Sequence, residues 1–333
     1  MDPVTQGALG SIASQNTPRP GNLWIAGVLG FLSGLAPDLD ILIRSDTDPL
    51  LFLEYHRQFT HSLVFIPVGG LICSLVFYLL IGRRCQLSFK QVFLYCTAGY
   101  ATHALLDACT FYGTQLFWPF SQTRVSWNTI AIIDPVFTLP LVGLIFLAAI
   151  RRNVRYARFA AAWVFLYLSF GMVQRERVEA AGLELAASRG HDPVRLETQP
   201  SFGNQILWNL VYEAGGTFHV DGIRARLSIR IYPGESIPKL DVSASYPWLD
   251  PDSQQARDID RFRWFADDWI AVDPRHPNRI MDIRNSMVPD KIQALWMIEL
   301  DPAAPPDRHV GYVHEHGKHG GTINRLVEMV RGS

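Results

Sequence analysis

The chain is 333 residues long, 48% hydrophobic, and carries a formal net charge of -1. A balance so close to neutral offers no broad basic surface, which excludes nucleic acid as an expected partner. The four cysteines, Cys73, Cys85, Cys96 and Cys109, form no CxxC pair, which excludes both a disulfide framework and a thiolate zinc site.

Apolar runs crowd the first half of the chain and most charges lie in the second. The expected fold class is therefore an all-α transmembrane helical bundle over residues 1–174, followed by a soluble β-rich (α+β) domain over residues 175–333. No Lys or Arg precedes Arg19, so the basic start of a secretory signal peptide is missing and insertion is expected to rest on internal helices.

Residues 3–15 predict a short helix, with Asp2 as its N-cap and Pro3 in its first turn. Residues 16–21 form a loop. Residues 22–36 are apolar and reach spanning length only when extended to 43, which takes in Asp38 and Asp40. Residues 62–82 are the clearest transmembrane segment, roughly the 20 residues a hydrocarbon core requires. Further spans are expected at 89–110, at 130–150 with a break at Asp134-Pro135, and at 157–173. A polar helix over 175–189 continues the last span, and 191–203 breaks it. Strands are then expected over 206–212, 217–232, 262–272, 279–283, 294–300 and 309–313, with a closing helix over 322–331.

Arg and Lys counts orient the spans. One set of loops carries Arg19, Arg83, Arg84, Lys90, Arg151, Arg152, Arg155 and Arg158, whereas the other carries Arg44, Arg57 and Arg124. The richer set belongs in the cytoplasm. Three polar clusters then share the opposite face: Asp38 with Asp40, His56 with His61, and His103 with Asp107. The C-terminal domain is expected on that same extracytoplasmic side.

Carboxylates and imidazoles are the side chains that bind zinc and similar ions, and within a membrane half they are costly unless they function. His103 and Asp107, four apart, share one helix face. Taken alone, such a pair more often pins two helices together. His56 and His61 are five apart, a spacing that suits a loop entering a helix. Asp38 and Asp40 follow Pro37, and one is expected as a ligand while the other orients a histidine. Together they offer three imidazoles and three carboxylates, enough for one to three divalent ions. Asp38 and Asp40 are also the candidate general bases. Glu54, Arg57, Tyr112, Gln115 and Asp134 are candidate substrate contacts, with an N-cap as the competing role for Asp134. A tract of His309, His314, Glu315, His316 and His319 is a rival metal site.

Several short motifs carry a family resemblance. Met1-Asp2-Pro3-Val4-Thr5, Pro37 to Asp40, His56-Arg57, Thr60-His61-Ser62, His103-x-x-x-Asp107, Tyr112-Gly113-Thr114, Trp118-Pro119-Phe120-Ser121 and Ile133-Asp134-Pro135 resemble the YdjM-like membrane-bound metal-dependent hydrolases. Their order is similar, more distantly, to that in the zinc-dependent phospholipase C group and related nucleases. The resemblance implies a multi-zinc cluster. It also marks a departure, because the family commonly places a histidine where this chain has Gln6. An amide is a poor zinc ligand, so a metal position is weakened there, and Gln6 joins the residues expected near substrate.

The expected function is hydrolysis of an ester or phosphoester, lipid-related because of the membrane setting, by a metal-activated water at the extracytoplasmic face of a bacterial inner membrane. Membrane lipids are the expected surroundings. The alternative is a non-enzymatic membrane protein whose soluble domain binds a partner.

Overall fold

The computed structural model describes residues 1–17, 22–314 and 322–332. Contacts divide the chain into two compact units. The first holds Met1–Leu42, Tyr55–Val173 and Phe202–Asn204, and the second holds Ile43–Glu54, Gln174–Ser201 and the chain from Gln205 onward.

In the first unit, α1 (Pro3–Gln15) begins where the Asp2 carboxylate accepts from the Thr5 N–H at 3.0 Å, and Pro3 occupies a position whose N–H would be unpaired anyway. Helix α2 (Leu23–Leu35) runs into a 3-10 turn, Ala36–Leu42, that carries Asp38 and Asp40. A short helix, α3 (Leu51–Tyr55), and two 3-10 turns, Phe59–His61 and Leu63–Phe65, lead to α4 (Ile66–Phe77), which ends in a π-helical turn at Tyr78–Gly82. A capping box of Ser88 and Gln91 opens α5 (Phe89–Ala108). Helices α6 (Pro135–Arg151) and α7 (Arg155–Ser188) follow, and α7 supplies its N-terminal part to the first unit and the rest to the second.

Helix α5 packs against α1, α2 and α4. Small residues allow this. A Cβ added to Gly30 of α2 would run into the carbonyl oxygen of Gly10 on α1, and one added to Gly99 of α5 would lie 2.5 Å from the Gly30 carbonyl oxygen. Ser11 Oγ donates to the Gly27 carbonyl at 2.8 Å and Ser14 Oγ to the Tyr95 carbonyl at 2.7 Å, so polar side chains also join the three helices. This close approach carries Gln6, the Asp38 turn and the C-terminal end of α5 to one end of the bundle.

Among the described residues, Leu23–Leu42, Leu63–Gly82 and Arg155–Ser188 are long and apolar enough to cross a membrane, while Pro135–Arg151 is apolar but shorter. The expected span at 89–110 is not among them. Lys90, Gln91, Thr97, Thr102, His103 and Asp107 dilute its apolar character, and it buries Tyr95, Cys96 and Tyr100 within the bundle.

The second unit contains two antiparallel sheets. One has the order β1 (Arg195–Pro200), β2 (Leu207–Ala214), β3 (Thr217–Ala225) and β4 (Ile229–Tyr232), with β5 (Ser236–Pro238) also paired to β3. Two helices come next in the chain, α8 (Val242–Ser245) and α9 (Gln254–Phe265). The other sheet is a meander of β6 (Ile270–Asp273), β7 (His276–Asp282), β8 (Trp296–Glu299) and β9 (Gly311–His314), and α10 (Thr322–Arg331) closes the chain. Strand β2 is buried throughout because both its faces are covered. Trp208, Leu210 and Tyr212 meet Val178, Ala181 and Ala186 of α7, while Val211 joins Phe218, Trp269, Met281 and Met297 in the core shared by the two sheets.

Three expectations are corrected here. The break at 191–203 contains β1, an edge strand on which Pro200 is tolerated because its missing N–H faces away from the ladder. The stretch 217–232 is a hairpin. The strand expected at 262–272 is the end of α9 followed by β6: Ser253 caps the helix, and Ile259, Phe262 and Phe265 repeat at helical rather than alternating spacing. Of the residues used above for orientation and for the rival metal tract, Arg19, Glu315, His316 and His319 lie outside the described residues.

Candidate metal centre

The four side chains Asp38, His61, His103 and Asp107 each place a ligand-type atom within 4.8 Å of the others. His61 and His103 are fully buried, as is Asp107, whereas the Asp38 side chain keeps 27% of its exposure. A second group, Asp38 with Asp40 and His56, meets the same distance criterion and shares Asp38.

Local structure explains each position. His103 sits on α5, where its Nδ1 donates to the Gly34 carbonyl oxygen at 2.6 Å, which fixes the tautomer and leaves Nε2 as the free acceptor. That Nε2 lies 3.3 Å from Asp38 Oδ1 and 3.6 Å from Asp107 Oδ2. His61 ends its 3-10 turn with Nε2 at 3.5 Å from Asp38 Oδ1 and 3.4 Å from Asp107 Oδ2. Its Nδ1 faces Thr60 Oγ1 at 2.9 Å and Asp40 Oδ2 at 3.2 Å.

Asp40 organises the loop that delivers His61. Its Oδ2 accepts from the Arg57 N–H at 3.0 Å and from Thr60 Oγ1 at 2.7 Å, and its Oδ1 contacts His56 Nδ1 at 2.8 Å. Arg57 stands in the left-handed region with φ of 64°, which a side-chain-bearing residue adopts only under external restraint, and this carboxylate supplies the restraint. Two neighbouring acids thus do different work: Asp38 reaches the group, and Asp40 holds its backbone.

Asp107 divides its two oxygens. Oδ1 accepts from the Gln6 amide at 2.8 Å and from the Met1 main-chain nitrogen at 2.7 Å, while Oδ2 faces both histidines and Arg57 Nε, the latter at 3.0 Å. Arg57 also donates through Nη1 to Thr110 Oγ1 at 3.2 Å, and its guanidinium lies 4.5 Å from the centre of the Tyr112 ring. Tyr112 packs edge-on against His56 as well.

His61 Nε2, His103 Nε2 and Asp107 Oδ2 are buried and make no hydrogen bond. Arg57 sits beside Asp107 Oδ2, but leaving the two imidazole nitrogens unsatisfied is costly, and two imidazole nitrogens with two carboxylate oxygens form a donor set that suits a divalent transition ion. Burial acts to lower the pKa of His61, but the carboxylates of Asp107, Asp38 and Asp40 that face its ring outweigh this and push it up to about 10. The carboxylates therefore call for a cation between them, and the residues fit a metal ion.

Other sequence candidates fall elsewhere. Gln6 is fully buried beneath Asp107, so its amide orients that carboxylate and does not face a substrate. The Asp134 carboxylate caps α6 through the N–H groups of Val136 and Phe137 and accepts from Tyr167 Oη at 2.7 Å, which commits it to structure. Glu54 accepts from Arg261 Nε at 2.5 Å within the second unit. Gln115 is buried with both amide atoms lacking a hydrogen bond, and its N–H donates to the Arg57 carbonyl at 3.0 Å. His309 is held by Asp258 at 2.9 Å, an ion-pair-like contact distant in type from a metal cage. Sequence reading missed Gly34 and Thr110, and gave Thr60 no role beyond its place in a motif. A conspicuous Thr-His pair marks Thr60, but the carbonyl of Gly34 has no side-chain signal.

The family model described as YdjM inner membrane protein matches residues 1–178. That is more than half of the 333 residues. The chain belongs to the YdjM inner membrane protein family. Over 108 residues it is 32% identical to the inner membrane protein YbcI of Escherichia coli K12, covering 31% of this chain and 60% of that protein. Over 100 residues it is 29% identical to the uncharacterized protein YfhP of Bacillus subtilis 168, covering 30% of this chain and 29% of that protein. Both alignments thus span less than two thirds of the relatives' length. No solved structure matches the chain. All the ligand-type residues of both groups fall inside the part matched by the YdjM family, and that membership with the apolar helices places the protein in a bacterial inner membrane.

Proposed function

We propose that this YdjM family member is a metal-dependent hydrolase acting on an ester or phosphoester at the extracytoplasmic membrane face. The observation that carries the reading is the convergence of Asp38, His61, His103 and Asp107 within 4.8 Å, three of them with buried atoms that lack hydrogen bonds. Zinc is the ion we assign, held by these four residues, with Asp40 and His56 extending the site toward a second ion that shares Asp38. Such an ion acts as a Lewis acid toward an ester or phosphoester oxygen and makes a water molecule more acidic.

The chain's own residues supply the rest. Asp38, the partly exposed carboxylate, is placed to take a proton from a water, and Asp40 holds the loop of His56 and His61 in place. Arg57 brings a positive charge beside Asp107, suited to an anionic substrate group, and Tyr112 shields its guanidinium from solvent. The domain limits of 1–174 for the membrane part and 175–333 for the second part rest on where the long apolar runs end, and the extracytoplasmic placing of the second part, with several passes through the bilayer, rests on the distribution of Arg and Lys. Lipids are the neighbours of the site, and a lipid-borne phosphoester is the substrate class it suits.

The test is metal content and hydrolysis of a chromogenic phosphodiester by purified protein, compared with His103→Ala and with His103→Ala plus Asp107→Ala. Loss of both metal and activity while the protein stays folded supports the reading. Unchanged metal content in the double variant overturns the site. A non-enzymatic reading is favoured by one observation, that His103 and Asp107 also tie α1, α2 and α5 together. It predicts that the same substitutions lower stability in detergent without removing bound metal.

A further inference from the structure

The hairpin between β3 and β4 carries an unusual tip. Leu227 is fully exposed, Ile229 beside it is 36% exposed, and the flanking residues include Arg224, Arg226 and Arg230. A large aliphatic side chain wholly in solvent at the end of a two-stranded turn gains nothing for the fold. Arginines around it make the tip amphipathic, a combination that favours the boundary between lipid headgroups and acyl chains.

Hydrogen bonds fix where this tip lies along the chain's path. Gln174 Nε2 donates to the Ala225 carbonyl at 2.7 Å and to the Gln205 carbonyl at 3.1 Å, and Arg177 Nη2 donates to the Arg226 carbonyl at 2.5 Å. Gln174 Oε1 in turn accepts from Arg177 Nη1 at 2.5 Å, which locks the two α7 side chains together. Gln174 directly follows Val173, the last residue of an apolar run in which Phe165, Leu166, Phe170, Met172 and Val173 are exposed as lipid-facing side chains are. Leu227 is two residues beyond Ala225, so it lies within about 7 Å of chain length from a backbone oxygen clamped to the first residue after the apolar run. The turn is therefore tethered beside the first residues after that apolar run.

We propose that the β3–β4 hairpin is a membrane-interface anchor, with Leu227 inserted among the lipids and Arg226 and its neighbours against anionic headgroups. The occupant of this surface is the lipid layer on the face where α7 emerges. It rests on α7 crossing the bilayer and is independent of the hydrolase reading. Arg224 and Arg230 flank the hairpin on opposite strands, paired across the ladder, which spreads positive charge on both sides of the leucine. Anchoring there would hold the soluble domain close to the membrane on which it is carried.

The experiment uses the full-length protein in vesicles of phosphatidylethanolamine and phosphatidylglycerol. Cys85→Ser removes the exposed native thiol, since Cys73, Cys96 and Cys109 are buried. Leu227→Cys is then labelled with an environment-sensitive nitrobenzoxadiazole probe, and Ala303→Cys, in an exposed turn elsewhere in the domain, serves as control. Quenching by lipids with a nitroxide near the headgroup is expected to be about twofold or more stronger at 227 than at 303, with a blue-shifted emission. Equal quenching at the two positions overturns the anchor and leaves a protein partner as the occupant. Adding Arg226→Glu is expected to reduce quenching at 227 in vesicles containing phosphatidylglycerol and to change it little in neutral ones. The same loss in both vesicle types overturns the assignment to anionic headgroups.

Discussion

The side-chain amide of Gln6 donates to Asp107 Oδ1 at 2.8 Å, on the opposite side of that carboxylate from the two histidines. Gln6 therefore supports a ligand-type carboxylate and stands outside the four-residue group. Supports of this kind typically change metal affinity by about 10- to 100-fold. Gln6→Ala is expected to weaken metal binding at the low end of that range, because the Met1 nitrogen still donates to the same oxygen. Competition with a chelator measures it, and a variant that loses metal as completely as His103→Ala contradicts the supporting role.

Close helix packing sets the geometry of the centre. Gly99→Val is expected to destabilise the bundle by about 1–3 kcal/mol or more, since the added atoms meet the Gly30 backbone, and to lower metal occupancy with it. Gly143 on α6 has nothing within 4 Å of an added Cβ, so Gly143→Ala is expected to stabilise by about 0.5–1 kcal/mol through helix propensity alone. Thermal unfolding in detergent compares the two, and a similar loss from both would refute the packing argument.

Asp134 accepts from Tyr167 Oη at 2.7 Å in a fully buried setting. Tyr167→Phe leaves that carboxylate oxygen without its donor and is expected to cost about 1–3 kcal/mol. Hydrolysis and metal content should be unaffected. A specific fall in activity at unchanged stability would return Asp134 to the list of substrate contacts.

Asp48 and Arg261 pair at 2.8 Å in the second unit. Burial acts to raise the Asp48 pKa, but hydrogen bonds from Arg261 and from the Leu50 N–H hold it below the usual carboxylate value. Because the folded pKa is the lower one, the stabilisation is complete above the unfolded value of about 4 and is lost as pH falls through the folded value. Melting curves below about pH 4 should therefore steepen in their pH dependence for the native protein and flatten for Asp48→Asn. Identical curves would show that the pair contributes nothing to acid sensitivity.

Local signals carried much of the architecture. The cap Asp2-Pro3, the uncharged run before Arg83-Arg84 and the Asp134-Pro135 start of α6 are read directly because capping and hydrocarbon thickness act on contiguous residues. The last residues of α9, 262–265, read as the start of a strand because their aromatic side chains imitate β composition and the Ser253 cap lies well upstream of them. Strand β1 was hidden because pairing with β2 outweighs the propensity of a segment containing Pro200. Within the site, residue types pointed to carboxylate and imidazole chemistry and to unequal roles for Asp38 and Asp40, but not to which of the two lies beside His61 and His103.

By itself the sequence determined that a polar set of ligand-type side chains lies among apolar helices, since side-chain chemistry and its cost in a membrane need no coordinates. It also separated an apolar helical half from a strand-rich half by period and composition. Only tertiary structure decided that Asp38 joins His61, His103 and Asp107 while Asp40 restrains Arg57, that Gly34 fixes His103 through its carbonyl, and that residues Ile43–Glu54 group with the C-terminal strands. The physical reason is that these choices depend on backbone atoms and on the close approach of glycines distant in sequence, where no side chain records the contact.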